Sequence, residues 1–164
     1  MKRIISIFVI FSFLSCLSGC QSANSDTVTF YYYRDPQQYQ YFEDNSVICT
    51  ENRDLLSHRF DLQYMAGLYL VGPMEESLIA PFTKNTHLLS ISQNGSAVLV
   101  ELSDHASVLT DAQFSLSSAC FALTCMDFVP CEEVIITSGD RSITLNRENI
   151  VLLDSLPLQE TNGG

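Results

Sequence analysis

Cysteine offers the most specific chemistry in this sequence, and Cys20 is the first cysteine whose neighbours indicate a reaction. Ser18 and Gly19 come directly before it, and their small side chains leave the backbone before Cys20 accessible to a peptidase. The thiol of a cysteine in this position can form a thioether with a diacylglycerol. The pattern is typical of a bacterial lipobox, and it predicts cleavage between Gly19 and Cys20 with lipidation of Cys20.

The segment before Cys20 has the layout of a secretory signal. Lys2 and Arg3 form a short basic region, and an apolar run follows at 4–14. This layout predicts that residues 1–19 are a cleaved signal peptide. The apolar run is too short to span about 30 Å of hydrocarbon as a helix. We therefore expect a chain held on the extracytoplasmic face of the cell membrane by its covalent lipid, with no other cofactor.

The predicted mature chain has four more cysteines, which are Cys49, Cys120, Cys125 and Cys131. Their spacing matches no zinc-binding pattern, so the sequence predicts no metal site. On one helix, positions 120 and 125 would be about 140° apart and would not face the same point. An exported location permits two disulfides among the four. The alternative is that Cys120 and Cys125 are small buried apolar residues, and the sequence leaves both readings open.

No group of residues has the spacing of a catalytic site. His58, His87 and His105 are widely separated, and none lies in a helical pattern with a second ligand-type residue three or four positions away. A glycine-rich phosphate loop and a nucleophile elbow are both missing from the sequence. These observations favour a protein that is not an enzyme.

A cluster of tyrosines begins the predicted domain, and its members are Tyr31, Tyr32, Tyr33, Tyr39 and Tyr41. Within it, Tyr31 and Tyr33 could stack on the sugar rings of wall glycan. Cross-strand packing is the more common role of such aromatic side chains. The cluster therefore supports an alternative hypothesis, in which the protein binds cell-wall glycan or a small solute.

The composition is that of an acidic globular protein. The chain has 46% hydrophobic and 16% charged residues, and its net charge is -11. Removal of residues 1–19 takes away Lys2 and Arg3 but no acidic residue, so -11 becomes -13. This charge should repel nucleic acid and anionic lipid headgroups. We expect no nucleic-acid partner.

The predicted mature chain divides into three parts. Residues 20–27 are a lipidated N-terminus and a polar tether that spans about 15 Å if it is flexible. Residues 28–155 suit one compact domain of ordinary size. Residues 156–164 are expected to form a flexible C-terminal tail. The folded part should lie close to the membrane, and so should any partner.

Strand patterns recur along this domain. Strands are expected at the three β-branched or alternating runs 27–33, 133–137 and 141–145, with shorter extended pieces at 39–42 and 47–51. Asn94-Gly95 favours a tight turn between strands at 87–92 and 96–103. In the second of these strands, Val98, Val100 and Leu102 share the face that should be buried, whereas Leu99 should be more exposed.

Two helices are expected between the strands. The first covers 61–71, where Gly72-Pro73 stops it. The second runs from a cap at Asp111 to about Phe128, with one apolar side, and ends before Pro130. The order of elements predicts an α/β fold, a single two-layer sandwich in which two helices pack on one mixed β-sheet.

Short motifs between 61 and 145, the predicted core of the domain, follow one another in a recognisable order. Leu70-Val71-Gly72-Pro73 closes the first helix, Thr86-His87-Leu88-Leu89-Ser90-Ile91 enters the hairpin, and Asn94-Gly95-Ser96-Ala97-Val98-Leu99-Val100-Glu101-Leu102-Ser103 completes it. A long second helix and the strand Glu133-Val134-Ile135-Ile136-Thr137 come next. In this order and spacing the stretch resembles the GerMN domain, a module named after a sporulation and germination lipoprotein.

The resemblance implies a fold similar to that of ring-building domains and a non-enzymatic module that works by protein–protein contact. It also implies a place in the cell envelope, in sporulation or germination. The partner would be another envelope protein near the membrane, or a second copy of the chain. We therefore expect a lipid-anchored scaffold or adaptor, with the glycan-binding or solute-binding lipoprotein as the alternative.

Overall fold

The computed structural model describes residues 27–34, 47–58 and 60–154. Over these residues the strands are β1 (Thr27–Arg34), β2 (Ile48–Asp54), β3 (Leu78–Ile79), β4 (Leu88–Asn94), β5 (Ala97–Leu102), β6 (Glu133–Ser138) and β7 (Arg141–Asn146). The α-helices are α1 (Leu62–Val71), α2 (Asp111–Phe128) and α3 (Arg147–Asp154). Short 3-10 turns cover Leu56–His58 and Asp104–Ala106.

The strands form two sheets, of order β2-β1-β3 and β4-β5-β6-β7. The predicted α/β fold class is confirmed. The expected arrangement of two helices on one mixed sheet is corrected, because the described part of the chain has three helices and divides its strands between an antiparallel and a mixed sheet.

The first sheet is antiparallel and has β1 at its centre. β1 pairs with β2 along nearly its whole length, but with β3 only at Tyr33 and Arg34. A backbone donor that no strand covers needs another partner. The amide of Tyr31 finds one on α2, where it donates to Oγ1 of Thr124 at 3.0 Å. Helix α2 therefore covers the edge of β1 that the short β3 leaves open.

The second sheet combines the predicted hairpin with a parallel strand. β4 and β5 are antiparallel, β5 and β6 are parallel, and β6 and β7 are antiparallel. Val98, Val100 and Leu102 are buried on β5, whereas Leu99 and Glu101 are exposed. The alternation in the sequence therefore predicted correctly which face of this sheet belongs to the core.

The hairpin turn lies one residue later than expected. Asn94 pairs with Ala97 across the two strands, so Gly95 and Ser96 form the two-residue loop. Gly95 has a φ of 62°, a backbone conformation that glycine adopts without the steric penalty of a Cβ. The signal for a tight turn was therefore correct, and Gly95 takes the first of the two loop positions.

Helix α2 spans the predicted residues, but Thr110 rather than Asp111 is its N-cap. Oγ1 of Thr110 accepts a hydrogen bond from the amide of Gln113, and the amide of Thr110 donates to the Gln113 side chain. This reciprocal pair is a capping box, which satisfies two backbone donors at the start of the helix. Asp111 instead accepts a hydrogen bond from Arg141 at 2.9 Å.

Burial of α2 extends around the helix instead of along one side. The helix packs against β1 of the first sheet and against β6 and β7 of the second. Its buried residues are Phe114, Ser117, Ser118, Ala119, Cys120, Phe121, Ala122, Thr124, Cys125 and Met126. Most of these side chains are small, so both sheets can approach the helix closely. Helix α2 is the element that joins the two sheets into one core.

Two elements were not predicted from the sequence. β3 has only two residues, and α3 follows directly on β7. Asn146 and Asn149 cap the start of α3 reciprocally, since each amide donates to the side chain of the other at 2.9 Å. β2 begins near the expected position but continues to Asp54. The expected signal peptide, the tether to residue 26, the extended piece at 39–42 and the tail at 156–164 lie outside the described residues.

Candidate functional site

Helix α1 is apolar on almost its whole circumference. Gln63 is its one side chain that is neither apolar nor aromatic. The residues that it buries are Met65, Ala66 and Tyr69. On the outward side, Tyr64, Gly67 and Val71 follow one another at helical spacing, and Val71 is 81% exposed. The water-facing side of a helix is normally polar, so this exposed apolar stripe is a candidate contact surface.

A groove of about 540 Å³ lies beside the stripe. It is lined by Gly67, Leu70, Val71, Ala80, Phe82, Lys84, Thr86, His87 and Leu88. Most of these side chains are apolar, and Lys84 and His87 add exposed polar groups. A space of this size and character can accept several side chains of a bound segment. We refer to Tyr64, Gly67 and Val71 together with this groove as the α1 surface.

Local sequence fixes both ends of α1. Asp61 is the N-cap, and its Oδ1 accepts a hydrogen bond from the amide of Tyr64 at 2.9 Å. At the other end Gly72 has a φ of 102°, which favours glycine. A Cβ at this position would lie 3.2 Å from Cβ of Ala80, which lines the groove. Gly72 therefore lets the chain leave the helix close to the wall of the groove.

A buried ion pair holds this exit from α1 against β2. Nε of Arg53 donates to Oε1 of Glu51, and the two side chains are 5% and 12% exposed. Oε2 of Glu51 accepts hydrogen bonds from the amides of Met74 at 2.9 Å and Glu75 at 3.1 Å. Burial opposes ionisation of Glu51, but the hydrogen bonds from Arg53, Glu75 and Met74 outweigh it and lower its pKa.

The guanidinium of Arg53 also binds the helix itself. It donates to the carbonyl of Gly72 at 2.7 Å and to the carbonyl of Leu68 at 3.4 Å, so it satisfies acceptors at the C-terminal end of α1. Its central carbon lies 4.8 Å from the ring centre of Phe30 and 5.5 Å from that of Tyr32. These contacts connect the position of the α1 surface to the core of the first sheet.

The tyrosines considered for glycan stacking occupy a different part of the domain. Tyr31 and Tyr33 are half-buried and lie on the face of β1 opposite Tyr32, which is fully buried. The hydroxyl of Tyr31 donates to Oδ2 of Asp127 at 2.6 Å. Burial, together with Asp127, raises the pKa of Tyr31 to about 12. Glycan stacking stays a prediction, and Tyr31 would have to release Asp127 to bond a sugar through its hydroxyl.

The structure brings together histidines that the sequence separates. The ring centres of His87 and His105 lie 6.4 Å apart in an edge-on contact, beside the groove to which His87 belongs. His58 stacks on Tyr64 at 4.0 Å and approaches Asp61 at 3.7 Å. Among the described residues, no three His, Cys, Asp or Glu side chains form a group that could hold a metal ion.

The four cysteines of the folded part are present as thiols. Cys120 and Cys125 are fully buried on α2, whereas Cys49 on β2 and Cys131 before β6 are partly buried and pack against the core. Gly19 and Cys20, the predicted cleavage and lipidation site, lie outside the described residues. No helix in the described part of the chain is long and apolar enough to cross a membrane.

Sequence reasoning missed the α1 surface, although a signal for it was present. Nine of the ten residues in α1 are apolar, aromatic or glycine, as its sequence LQYMAGLYLV shows. A short helix of this composition at the surface cannot bury every side. The groove itself could not be predicted, because its walls come from α1 and from residues 80–88, and only the fold shows how these two segments face one another.

Two solved structures with a similar fold illustrate the likeness. One is a protein from Clostridium perfringens described as a lipoprotein, with a TM-score of 0.48 and 17% identity over 75% of this chain and 89% of that chain. The other holds the tandem GerMN domains of the sporulation protein GerM from Bacillus subtilis, with a TM-score of 0.49 and 15% identity. The chain is similar in structure to GerMN domains. The match covers 70% of this chain and 39% of the tandem protein. No family model and no curated protein matches the sequence.

Proposed function

We propose that this protein is an exported, lipid-anchored lipoprotein whose folded domain binds another cell-envelope protein through the α1 surface, without catalysing a reaction. The observation that carries the binding role is the exposed apolar stripe of α1 beside a groove of about 540 Å³. The observation that supports the anchor is the sequence Leu17-Ser18-Gly19-Cys20 behind a basic and apolar leader.

The chemistry of the α1 surface defines the partner that it fits. The stripe and the groove offer apolar contacts, and Val71 and the nearby Met74 are each 81% exposed. Glu75 and Glu76 follow directly and are exposed, in a mature chain whose predicted charge is -13. Complementary charge steers association and fixes orientation. We infer that the partner presents an amphipathic segment with apolar side chains flanked by lysine or arginine.

The process in which the protein acts follows from the resemblance of its sequence to GerMN domains, and we propose sporulation or germination. Self-association through the same surface is the competing outcome. Binding of wall glycan through Tyr31 and Tyr33 is the alternative function. Retention of the purified chain on peptidoglycan, lost on Y31A plus Y33A, would favour that alternative over protein docking.

Val71→Arg should weaken partner binding at least about tenfold, because it places a charge in the apolar stripe and repels a basic partner. Val71 is so exposed that the domain should remain folded. The measurement is chemical cross-linking in cells, identification of the linked envelope protein, and titration of that protein with the purified chain. The matched control is Val108→Arg, at a valine that is 76% exposed and does not line the groove. Equal binding by both variants would contradict docking at the α1 surface.

Cys20→Ser should abolish lipidation, because the hydroxyl cannot replace the sulfur of the thioether. The N-terminal peptide of the wild-type protein should begin at Cys20 and carry a diacylglyceryl group, and mass spectrometry of the protein from membranes measures this directly. Cys16→Ser is the matched control, since Cys16 lies in the predicted signal and should have no effect. A wild-type protein that retains Met1, or begins at Gln21 or later without lipid, would contradict the anchor.

A further inference from the structure

The edge strands of the two sheets differ in how well they are protected against pairing with another chain. β3 has only two residues, and β2 carries the charged residues Glu51, Arg53 and Asp54. β7 begins with Arg141 and continues directly into α3. β4 has seven residues, Leu88–Asn94, none of which is charged or proline. Charges, proline and short length are the usual protection of an edge strand, so β4 is the edge most open to a further strand.

The pairing of β4 with β5 determines which of its backbone groups point outward. Asn94 and Ala97 close a two-residue loop, and the pair that closes such a loop exchanges both of its backbone hydrogen bonds. Hydrogen-bonded and non-hydrogen-bonded pairs then alternate along an antiparallel ladder. Ser92 therefore bonds to β5, whereas the amides and carbonyls of Ile91 and Gln93 point away from it. No other strand in the described part of the chain pairs with β4 on that side.

β4 is exposed along most of its length. Five of its seven residues are exposed, and Leu89 has 60% of its surface in contact with solvent. Leu89 lies at a bulge, where the register with β5 shifts by one residue, so regular pairing is limited to Ser90–Asn94. Within this stretch Ile91 and Gln93 offer two donors and two acceptors to a segment of about five residues.

The open edge of β4 adjoins the α1 surface. Helix α1 packs against β4, and Leu88, the first residue of β4, lines the groove together with Gly67 and Val71. A Cβ at Gly67 would meet no atom within 4 Å, so the space beside this part of the helix is open. Side chains of a strand alternate between two faces. A strand added to β4 would therefore direct every second side chain toward the side on which α1 lies, where apolar side chains are favoured.

The opposite face of the four-stranded sheet is acidic. Its charged residues on β5 and β6 are Glu101 and Glu133, and Ser90 of β4 donates to Oε2 of Glu101 at 3.1 Å. A residue added beside Ser90 would lie two strands from Glu101, about 10 Å between Cα atoms. A lysine or arginine side chain and the glutamate side chain can together span this distance. The outward side chains of an added strand are therefore best matched by basic residues.

We propose that the partner of the α1 surface binds as an added β-strand on the open edge of β4. The segment that fits is an extended stretch of another protein in which apolar side chains alternate with lysine or arginine. Its apolar side chains pack toward α1 and the groove, and its basic side chains lie on the outer face near Glu101. The inference rests on the docking proposed above, and it adds the conformation of the bound segment and the backbone groups that hold it.

The test uses the full chain purified from membranes and a synthetic nine-residue peptide in which valine alternates with lysine. Amide hydrogen exchange is measured at residue resolution with and without the peptide. Exchange at Ile91 and Gln93 should be fast in the free protein and at least about tenfold slower with saturating peptide, because peptide carbonyls accept bonds from these amides. The amide of Ser92, which already bonds to β5, is the internal control. Unchanged exchange at Ile91 and Gln93, or no binding at about 1 mM peptide, would overturn the proposal.

Two N-methylated peptides are the matched control for binding by charge alone. One carries the methyl groups on the amides of its valines, and the other carries them on the amides of its lysines. Both keep the sequence and the charge, but in an added strand only one of the two sets of amides faces β4. One peptide should therefore lose at least about tenfold in affinity while the other keeps most of its affinity. Equal affinities of the two methylated peptides would overturn strand addition.

Val71→Arg distinguishes this proposal from the docking on which it rests. If peptide binding depends on Val71 but exchange at Ile91 and Gln93 does not slow, docking at the α1 surface is supported and strand addition is wrong. Slower exchange at both amides in the wild type and in Val71→Arg alike would support strand addition and contradict docking through the stripe. Exchange that slows with rising protein concentration, without peptide, would show that a second copy pairs with β4 and would overturn the basic segment as its occupant.

Discussion

Val100→Asp should unfold the domain under conditions in which Leu99→Asp leaves it folded. Val100 is 1% exposed on β5, between Ile91 of β4 and Ile136 of β6, and it faces the core. An aspartate there would be buried without a partner, at a cost of several kcal/mol. Small domains have a total free energy of unfolding of about 5–15 kcal/mol, so this single change removes much or all of it.

The neighbouring position supplies the control for this prediction. Leu99 is 38% exposed and points to the other face of the sheet, opposite Ser92 and beside Ile135. Leu99→Asp should cost about 1 kcal/mol or less, because its carboxylate remains hydrated. Urea unfolding followed by circular dichroism measures both. If Val100→Asp does not accumulate, Val100→Ala should still cost about 1–3 kcal/mol more than Leu99→Ala. Equal losses of stability at Val100 and Leu99 would mean that the outer face of the sheet is also covered.

The sequence was informative wherever a local pattern decides the structure. Alternation along β5 identified the buried face, and the glycine of the hairpin located the turn to within one residue. Helix α2 began and ended where the pattern placed it, because Pro130 and a polar N-terminal residue limit it. Its cap was misassigned, since Thr110 and Asp111 are both good N-cap residues and only the bond to Gln113 decides between them.

Burial around α2 could not be predicted from its own sequence. Serine, threonine and cysteine side chains at Ser117, Thr124 and Cys125 suggest a partly polar helix. In the fold the hydroxyls of Thr124 and Ser117 each find an acceptor, the first within the helix and the second in the segment before β4. Oγ1 of Thr124 donates to the carbonyl of Cys120, and the hydroxyl of Ser117 donates to the carbonyl of Pro81. Small polar side chains thus occupy a tight position between two sheets, which a pattern of hydrophobicity does not detect.

At the α1 surface, too, only part of the structure could be predicted from the sequence. Its outward stripe is encoded by ten consecutive residues and is visible in the sequence. The contacts that position this stripe are not visible in the sequence, because Glu51 and Arg53 are charged residues on a strand and suggest a solvated face. Only the fold reveals that Arg53 lies against Phe30 and Tyr32 and binds the end of α1.

Glu51→Ala should destabilise the domain by about 3–5 kcal/mol, because it leaves the buried guanidinium of Arg53 without its carboxylate. It also removes the acceptor for the amides of Met74 and Glu75. Glu51→Gln keeps an oxygen acceptor and should cost less. Glu76→Ala is the matched control, since Glu76 is exposed in the same loop and its removal should change stability by no more than about 0.5 kcal/mol. Urea unfolding at neutral pH measures all three.

The pH dependence of the wild type relative to Glu51→Gln tests the ionic part of this network. The pKa of Glu51 is lowered in the folded state, so its contribution is fully present above the unfolded pKa of about 4.3. It is lost as the pH falls through the lower folded pKa, because the carboxylate is then protonated. The stability difference between the two proteins should therefore be constant above about pH 5.5 and should shrink below about pH 4.3. A difference that is independent of pH, or that grows on acidification, would show that the charge of Glu51 does not hold Arg53 in place.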